Sequence, residues 1–379
     1  MIEVSSTINK NVYEFFMNIP ITVLIDEGRS SIGKPTGIGL QAINLHKHLK
    51  KYCNCKISDY KAMKILPKGI RKFSLDALVN ILALFQKYDI VHYQDNFVPF
   101  LKGKSKKIVT VHDLGVFLFP KTVPFIYVRY HQHSIRKVSQ RADCIINPSE
   151  AIRNEFLKMF PNTNPAQVIC CNDGIRDIFW NFKGSEKVLL EKFNIQPYTY
   201  FFFLGNLSRR KNLKFTLEAF IEAKSENLIQ KNTIMVLGGQ KWWGASDFKH
   251  LLRDELGIRT LGYLTDEDIV TLYTYSKSFV FPSLYEGFGM PIIEAMSQKT
   301  PIIISNIPTN MELNSKHNNQ MFCFELNDKL SLIEKFVELD KNHLSVRESL
   351  NYGDISMYNF DNIAKEHLKI YYKVLKGTI

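Results

Sequence analysis

The chain has 379 residues, of which 45% are hydrophobic and 23% are charged. This balance is typical of a globular protein with a large core, and it excludes a disordered or low-complexity chain. At about 150 residues per domain, the length predicts two domains. The six cysteines form no C-x-x-C pair, which argues against a zinc framework. No apolar run approaches the roughly 18 residues of a transmembrane helix, so we expect a protein that is soluble or attached to a membrane only at its surface. The scattered cysteines suit a reducing compartment, and we expect a cytoplasmic protein.

The excess of positive charge lies in the first half of the chain. Residues 1–190 hold 27 Lys and Arg against 15 Asp and Glu, a net charge of +12, whereas residues 191–379 hold 22 of each. Such asymmetry favours a polyanionic partner for the first half, such as nucleic acid or an anionic membrane surface. A basic surface that only aids solubility is the alternative. No nucleic-acid-binding motif accompanies the charge, so we predict no nucleic-acid partner.

Short β-rich runs alternate with amphipathic helical segments along the chain. The predicted strands are 21–26, 89–93, 108–111, 144–147, 168–171, 200–204, 234–237, 279–281 and 301–304. The predicted helices are 37–51, 73–87, 125–141, 149–160, 212–225, 266–276 and 290–298. This alternation predicts an α/β protein with parallel sheets that carry helices on both faces. We predict two doubly wound, Rossmann-like domains that face a cleft and meet near residues 181–190.

Glycines and cations follow two of the predicted strands. After the first strand, Gly37 and Gly39 open a helix, where backbone N–H groups can bind phosphate. After the strand 200–204, Gly205 precedes Arg210 and Lys211, which could neutralise a diphosphate leaving group. Each signal is weak alone, because a flexible loop or a solvated basic run would look the same.

The segment Phe281–Met296 (FPSLYEGFGMPIIEAM) carries the densest signal. A strand ends there, Gly287 and Gly289 permit a tight turn, and a helix follows. Glu286 lies in the loop and Glu294 lies about one turn into the helix. Carboxylates accept hydrogen bonds from vicinal hydroxyls, which makes sugar or ribose recognition a natural use.

His112 ends another predicted strand and can donate to a hydroxyl or phosphate oxygen at the same cleft. A structural role is the alternative for this histidine. The chain has no His-x-x-x-His pair and no clustered carboxylates, so we predict no metal site.

These motifs together resemble the family-four retaining glycosyltransferases, which have the GT-B fold. YEGFGMPIIEAM resembles the Glu-x7-Glu signature of that family, and GNLSRRKN resembles its diphosphate segment. TGIGLQAINL, VTVHDL and ADCIINPSEAIRNEF resemble further family segments, so the likeness extends over about residues 20–375.

The resemblance implies a role for each matching residue. Gly37, Gly39, Gly205, Arg210 and Lys211 would approach the donor diphosphate, and Glu294 would bind the nucleotide ribose. Glu286 would face the donor sugar beside the N–H groups of Gly287, Phe288 and Gly289. His112 would contact the donor sugar from the first domain.

The resemblance also implies the domain plan: an acceptor-binding domain over 1–185, a nucleotide-sugar domain over 186–358, and a terminal helix in 359–379 that crosses back to the first domain. No metal or cofactor is expected beside the donor sugar nucleotide. Three departures from the family pattern are Arg209 in place of proline, Lys299 before Thr300, and the lack of glycine after Glu312. We expect Lys299 to reshape the turn near the nucleotide.

The expected function is a retaining hexosyltransferase, with GDP-mannose favoured as donor and a glycan or lipid-linked oligosaccharide as acceptor. A sugar-nucleotide epimerase, a phosphorylase or a non-catalytic binding subunit are the alternatives. Two basic and apolar stretches, residues 61–73 (with Lys64, Lys68, Arg71 and Lys72) and residues 127–141, predict docking on the inner face of the cytoplasmic membrane. The alternative is that they form the rim of a cleft for a soluble glycan.

Overall fold

The structure, a computed structural model, describes residues 20–26, 37–58, 77–79, 81, 85, 87–99, 103–240 and 245–379. Part of the glycine loop (27–36), most of the helix predicted over 73–87 and the basic stretch 61–73 lie outside the described residues.

The described part of the chain contains two parallel β-sheets of six strands each. The first contains β1 (Thr22–Asp26), β2 (Asn54–Ile57), β3 (Ile90–Tyr93), β4 (Lys106–Thr110), β5 (Cys144–Asn147) and β6 (Val168–Cys170). The second contains β7 (Tyr200–Leu204), β8 (Ile234–Gly238), β9 (Ile258–Gly262), β10 (Ser278–Phe281), β11 (Ile302–Ser305) and β12 (Phe322–Phe324). The α/β class and the two-sheet arrangement predicted from the sequence are confirmed.

Helices cover both sheets. They are α1 (Gly37–Leu49), α2 (Phe125–Arg141), α3 (Glu150–Met159), α4 (Leu213–Ser225), α5 (Asp266–Thr274), α6 (Met290–Ser297), α7 (Pro308–Lys316), α8 (Lys329–Ser349) and α9 (Phe360–Lys376). Single helical turns lie at Gly115–Leu118, Ile178–Asn181 and Glu186–Val188. Ser149 caps α3, since its side chain accepts a hydrogen bond from the N–H of Ile152.

Alternate residues of each inner strand enter opposite layers of the core. Along β7, Phe202 packs in a cluster with α5 and α6, whereas Phe201 and Phe203 pack with α4 and α8. Because both faces of a parallel sheet are covered, such strands are apolar throughout. The sequence shows this pattern as the unbroken run YFFFL.

The sequence missed β2, β9 and β12, and each of these strands lies at an edge of its sheet. An edge strand packs against one neighbour and is partly solvated, so it lacks the apolar run that reveals a central strand. Helices α7 and α8 were missed as well; both carry many polar residues.

The strand order fixes where ligands can bind. The second sheet runs β12-β11-β10-β7-β8-β9, so its topology reverses between β7 and β10. The first runs β2-β1-β3-β4-β5-β6 and reverses between β1 and β3. In open parallel sheets, ligands bind beyond the carboxyl ends of the strands at such reversals.

The last helix, α9, returns to the first sheet. Phe360, Leu368 and Tyr371 pack in a cluster that also contains Val23 of β1 and Leu45 of α1. The Tyr371 hydroxyl lies 2.7 Å from Nδ1 of the buried His92 of β3. The predicted boundary at residue 185 falls between β6 and β7, and the predicted helix 361–376 corresponds to α9.

Candidate active site

The loops after β7 and β10 flank the reversal of the second sheet. Gly205 ends β7 with φ of 152°, and its N–H donates to the carbonyl of Gly238 at 3.0 Å. A Cβ atom on Gly239 would lie 2.0 Å from the Gly205 carbonyl oxygen, so a side chain there would push the two loops apart. Glycine therefore allows the close packing of the backbone at this end of the sheet.

Two cations of the β7 loop converge on one carboxylate of the β10 loop. The Lys211 Nζ lies 2.5 Å from Oε1 of Glu286, and Arg210 Nη1 lies 3.2 Å from Oε2. Arg210 also donates to the carbonyl of Tyr285 at 2.6 Å. The Lys211 ammonium lies 4.9 Å from the centre of the Phe281 ring. Sequence analysis predicted these three charged residues at one site, and the structure brings them into direct contact.

Burial and charge determine the ionisation of this cluster. Burial raises the pKa of Glu286, but the positive charges of Lys211 and Arg210 outweigh it and bring this pKa down to about 2. For Arg210, the Glu286 charge outweighs burial and the pKa lies above its ordinary value. Arg210 and Lys211 thus face Glu286, with the charge of Asp113 also nearby, and the two cations can bind a phosphate group.

Arg209, the third cation of the RRK run, does not pair with Glu286. Its guanidinium is exposed and pairs with Asp247 at 2.5 Å. Arg209 therefore lies on the surface, away from the Glu286 cluster, and provides a natural control for its neighbours.

The β10 loop also contacts the end of β4, which carries His112. A Cβ atom on Gly287 would lie 1.9 Å from the His112 carbonyl oxygen, so only glycine permits this approach. The hydroxyl of Ser149 donates to the Gly287 carbonyl at 2.8 Å. These contacts hold the loop of Glu286 against the first half of the chain and close the cleft at this point.

His112 lies beside Asp173, with 3.7 Å between its Nδ1 and a carboxylate oxygen of that residue. Burial lowers the pKa of His112, but the neighbouring carboxylate of Asp173, with the charges of Asp113 and Asp95, outweighs it and raises this pKa. The other ring nitrogen, Nε2, is buried and has no hydrogen-bond partner among the described residues. A ligand hydroxyl or phosphate oxygen could supply that partner.

The rest of the β10 loop leads into α6. Phe288 is buried against Tyr358, and Gly289 is the N-cap of the helix with φ of 118°, where a side chain would be strained. Glu294 lies in the second turn of α6, as predicted. Its Oε1 pairs with Arg176 Nη2 at 3.2 Å, and its Oε2 accepts a hydrogen bond from the Tyr273 hydroxyl at 3.3 Å.

Arg176 serves two carboxylates, because it also pairs with Asp266. Burial raises the pKa of Glu294, and the charge of Arg176 offsets only part of that rise. Glu286 and Glu294 therefore differ in their electrostatic environment, although both are buried.

The predicted phosphate-binding glycines of the first half begin α1. Gly37 is the first residue of the helix, and a Cβ atom on it would lie 3.3 Å from Cε of Met290 at the start of α6. Gly39 is buried. The Gln41 amide of the same helix donates to the Gly174 carbonyl at 2.7 Å. The N-terminus of α1 therefore lies next to the β10 loop and the segment that joins the two sheets.

Sequence analysis missed Arg176, Asp173 and Tyr285 as site residues. Tyr285 directly precedes Glu286 in the sequence, and this adjacency could have identified it as a site residue. Arg176 and Asp173 lie in the segment between the sheets, which carries no recognisable pattern; only the tertiary structure brings them to Glu294 and His112.

Two of the departures from the family pattern lie at left-handed backbone positions. Lys299 takes φ of 52°, the left-handed conformation that glycine favours and that other residues rarely adopt. Asn318 and Asn319 take φ of 60° and 53° after α7, and asparagine tolerates this region better than most residues.

Within the described ranges, no group of three His, Cys, Asp or Glu side chains is placed to hold a metal ion. In the same part of the chain, no helix is long and apolar enough to cross a membrane.

Two family descriptions match the chain on either side of residue 180. Residues 56–171 match "Glycosyltransferase Family 4", and residues 187–352 match "Glycosyl transferases group 1". The chain belongs to the family-four glycosyltransferases. Its fold is GT-B, because the HepE protein of Anabaena, solved with UDP and glucose, superposes with a TM-score of 0.66 at 16% identity. That match covers 93% of this chain and all of HepE.

Two curated relatives of this glycosyltransferase are bacterial mannosyltransferases. O-antigen chain mannosyltransferase B of Escherichia coli is 29% identical over 236 residues, which is 61% of either chain. The O-antigen chain mannosyltransferase RfbU of Salmonella typhimurium is 23% identical over 80% of this chain and 79% of its own.

Proposed function

We propose that this protein is a retaining glycosyltransferase that moves a hexose from a nucleoside-diphosphate sugar to a glycan or lipid-linked oligosaccharide in surface-polysaccharide assembly. The observation that carries the proposal is the Glu286 cluster, in which Arg210 and Lys211 flank one carboxylate at the reversal of the second sheet. The loop of this cluster contacts His112 of the first half, so both halves would face a donor sugar bound there.

The chemistry consists of positioning and charge stabilisation. A donor diphosphate would bind beside Arg210 and Lys211, and their charges would stabilise the departing nucleoside diphosphate. His112 Nε2 would donate to the donor sugar, and Glu294 would accept from the ribose hydroxyls. The acceptor hydroxyl would attack from the side of the leaving group and pass its proton to the leaving phosphate. These steps need no metal and no cofactor.

GDP-mannose is the favoured donor, because both curated relatives above are mannosyltransferases. HepE, which shares the fold, was solved with UDP and glucose, so uridine is the competing base. A thermal-shift screen over GDP, UDP, ADP and their sugars tests this choice. We expect the largest rise in melting temperature with GDP and GDP-mannose; a larger rise with UDP would overturn the base assignment.

Two further measurements test the reaction class. The wild-type protein with donor and acceptor should release nucleoside diphosphate and leave the transferred sugar in its original anomeric configuration by NMR. The release of nucleoside diphosphate should continue in excess chelator. A sugar nucleotide epimerised without any acceptor would favour the epimerase alternative. Tight donor binding with no release of nucleoside diphosphate, whether or not acceptor is present, would favour the non-catalytic binding subunit.

A membrane-facing acceptor is supported by one surface of the first half. Phe125 and Ile126 begin α2 and are 75% and 79% exposed, and Leu118 nearby in the chain is exposed as well. Residues 114–142 hold five Lys and Arg and no Asp or Glu. Exposed apolar side chains among cations are typical of surfaces that bind anionic membranes. Val138, which belongs to the predicted basic and apolar stretch 127–141, is buried and does not contribute to this surface.

Vesicle co-sedimentation tests this part of the proposal. We expect the protein to sediment with anionic but not neutral vesicles, and raised salt should release it. Replacing Phe125 and Ile126 with Ser should weaken sedimentation, whereas Leu330→Ser, which changes an exposed leucine of α8, should not. A protein that stays in the supernatant with anionic vesicles at low salt would favour a soluble glycan acceptor instead.

A further inference from the structure

Tyr285 connects the two halves of the molecule through its side chain. Its hydroxyl accepts a hydrogen bond from the N–H of Leu114 at 2.9 Å and donates to Oε2 of Glu155 at 2.5 Å. Its ring lies 5.4 Å from the ring of Phe119. All three partners belong to the first half of the chain, whereas Tyr285 belongs to the β10 loop. We call Tyr285, Glu155 and the Leu114 N–H the Tyr285 clasp.

The backbone of Tyr285 connects the clasp to the charged cluster. Its carbonyl accepts the hydrogen bond of Arg210 at 2.6 Å, and the next residue is Glu286. A shift of the tyrosine ring would therefore move an acceptor of Arg210 and the residue that pairs with both cations. One side chain thus joins the domain contact to the cations at the candidate diphosphate site.

The contacts around the clasp leave little room for a different loop position. Gly287, two residues after Tyr285, lies against the carbonyl of His112, and Ser149 holds the Gly287 carbonyl. Leu114, the backbone donor of the clasp, is two residues after His112. The clasp therefore sets the distance between the segment of His112 and the segment of Glu286.

We propose that Tyr285 and Glu155 are positioning residues that hold the closed cleft in which His112 and Glu286 face the same donor sugar. This inference rests on the proposed function. The nucleoside diphosphate contacts assigned to Lys211, Arg210 and Glu294 lie in the second half, whereas the clasp fixes the first half against it. Loss of the clasp should therefore reduce turnover more than nucleotide affinity.

The test removes the hydroxyl and keeps the ring. We expect Tyr285→Phe to lower kcat about tenfold, the scale of a charge-assisted hydrogen bond, while nucleoside diphosphate affinity by calorimetry stays within twofold. Tyr275→Phe, which removes a half-buried hydroxyl of the second half, is the matched control and should keep full turnover. Equal losses of kcat and of nucleotide affinity in Tyr285→Phe would overturn the positioning role.

The partner of the hydroxyl provides a second variant in case the first fails to fold. Glu155→Leu removes the acceptor of the hydroxyl but keeps the Leu114 hydrogen bond, so it should lower kcat no more than Tyr285→Phe does. Glu155→Gln should retain most turnover, because its amide oxygen can still accept the hydrogen bond. The double variant Tyr285→Phe with Glu155→Leu should lose little more than Tyr285→Phe alone, since both changes break the contact between the hydroxyl and Glu155. Fully additive losses would contradict the clasp.

Small-angle scattering separates this inference from the proposed reaction. The radius of gyration should rise in Tyr285→Phe and in Glu155→Leu, and not in Tyr275→Phe. If the wild-type protein transfers no sugar and the radius still rises, the proposed function fails and the clasp stands. If transfer is confirmed but kcat and the radius stay at wild-type values in both clasp variants, the clasp is wrong.

Discussion

Glu286 and Glu294 lie eight residues apart in one loop and helix, and both are more than nine-tenths buried, yet their surroundings act in opposite directions. Two cations face Glu286, and its pKa falls to about 2. Arg176 faces Glu294 and is shared with Asp266, and the pKa of Glu294 rises. The difference teaches that the ratio of cations to carboxylates, and not burial, determines which buried glutamate holds its charge firmly.

The two environments suit two tasks. The Glu286 cluster pairs two cations with one carboxylate and can accept the phosphates of a leaving group. The Glu294 site shares one cation between two carboxylates and suits a ligand group without negative charge, such as a ribose hydroxyl. Breaking the ion pairs one at a time tests this contrast.

The largest effect is expected at Lys211. Lys211→Ala removes the charge nearest to Glu286, and turnover at saturating donor should fall about a hundredfold, on the order of 3 kcal/mol of transition-state stabilisation. Steady-state kinetics and urea unfolding measure turnover and stability. Arg209→Ala, which removes the neighbouring exposed cation, should change turnover little. Near wild-type turnover in Lys211→Ala would refute the assignment of this lysine to the leaving group.

Acid should lower the free energy of unfolding, because it protonates Glu286 and breaks its ion pairs. The pKa of Glu286 in the folded state, about 2, lies below its ordinary value of 4.5, so its contribution is present above pH 4.5 and is lost as pH falls toward 2. This contribution is on the order of 3 kcal/mol. The free energy of unfolding of wild type should therefore fall more steeply with acid than that of Glu286→Gln.

Glu294 should show the opposite trend with pH. Its folded pKa is raised, so its contribution to the free energy of unfolding is present below pH 4.5 and declines as pH rises through the folded pKa. Urea titrations of wild type, Glu286→Gln and Glu294→Gln between pH 2 and 7 compare the two residues. Parallel curves for all three proteins would contradict the electrostatic contrast.

Substitution of the two glutamates should also have different effects on nucleotide affinity and on turnover. Glu294→Gln should weaken nucleoside diphosphate affinity about tenfold, because a neutral amide replaces a charged acceptor at the ribose. Glu286→Gln should chiefly lower turnover. Isothermal titration and initial rates measure the two effects. A nucleotide affinity that depends on Glu286 and not on Glu294 would reverse the assigned roles.

The smallest expected effect concerns Arg176. Arg176→Met leaves Glu294 buried without its cation, which should raise the pKa of Glu294 further. Nucleoside diphosphate affinity should then fall a few-fold at the acid end of a pH series and recover as the pH rises, because the carboxylate ionises again. Arg176→Lys keeps a cation and should follow wild type. An affinity of Arg176→Met that stays constant over this range would show that Arg176 has no influence on the charge of Glu294.

Much of the fold could be predicted because the inner strands are buried on both faces and most of them are followed by a helical period. The strands 144–147 and 200–204 and the helix 125–141 match the structure residue for residue. Edge strands such as β12 (Phe322–Phe324) could not be found, since three residues, two of them partly solvated, are too few to show a period. The candidate site residues Glu286, Arg210 and Lys211 could be named in advance because glycine and proline mark the loops that carry them.

The sequence by itself determined the parallel two-sheet architecture, the loops that reach the cleft and the charged residues of those loops, because these follow from periods and motifs within short stretches of chain. Only the tertiary structure decided the partners. Tyr285 meets Glu155 across 130 positions, and Glu312 of α7 accepts the N–H groups of Glu150 and Ala151 at the start of α3. Such contacts depend on how two separately folded sheets face each other, which no local pattern encodes. The same contacts determine which buried glutamate keeps its charge.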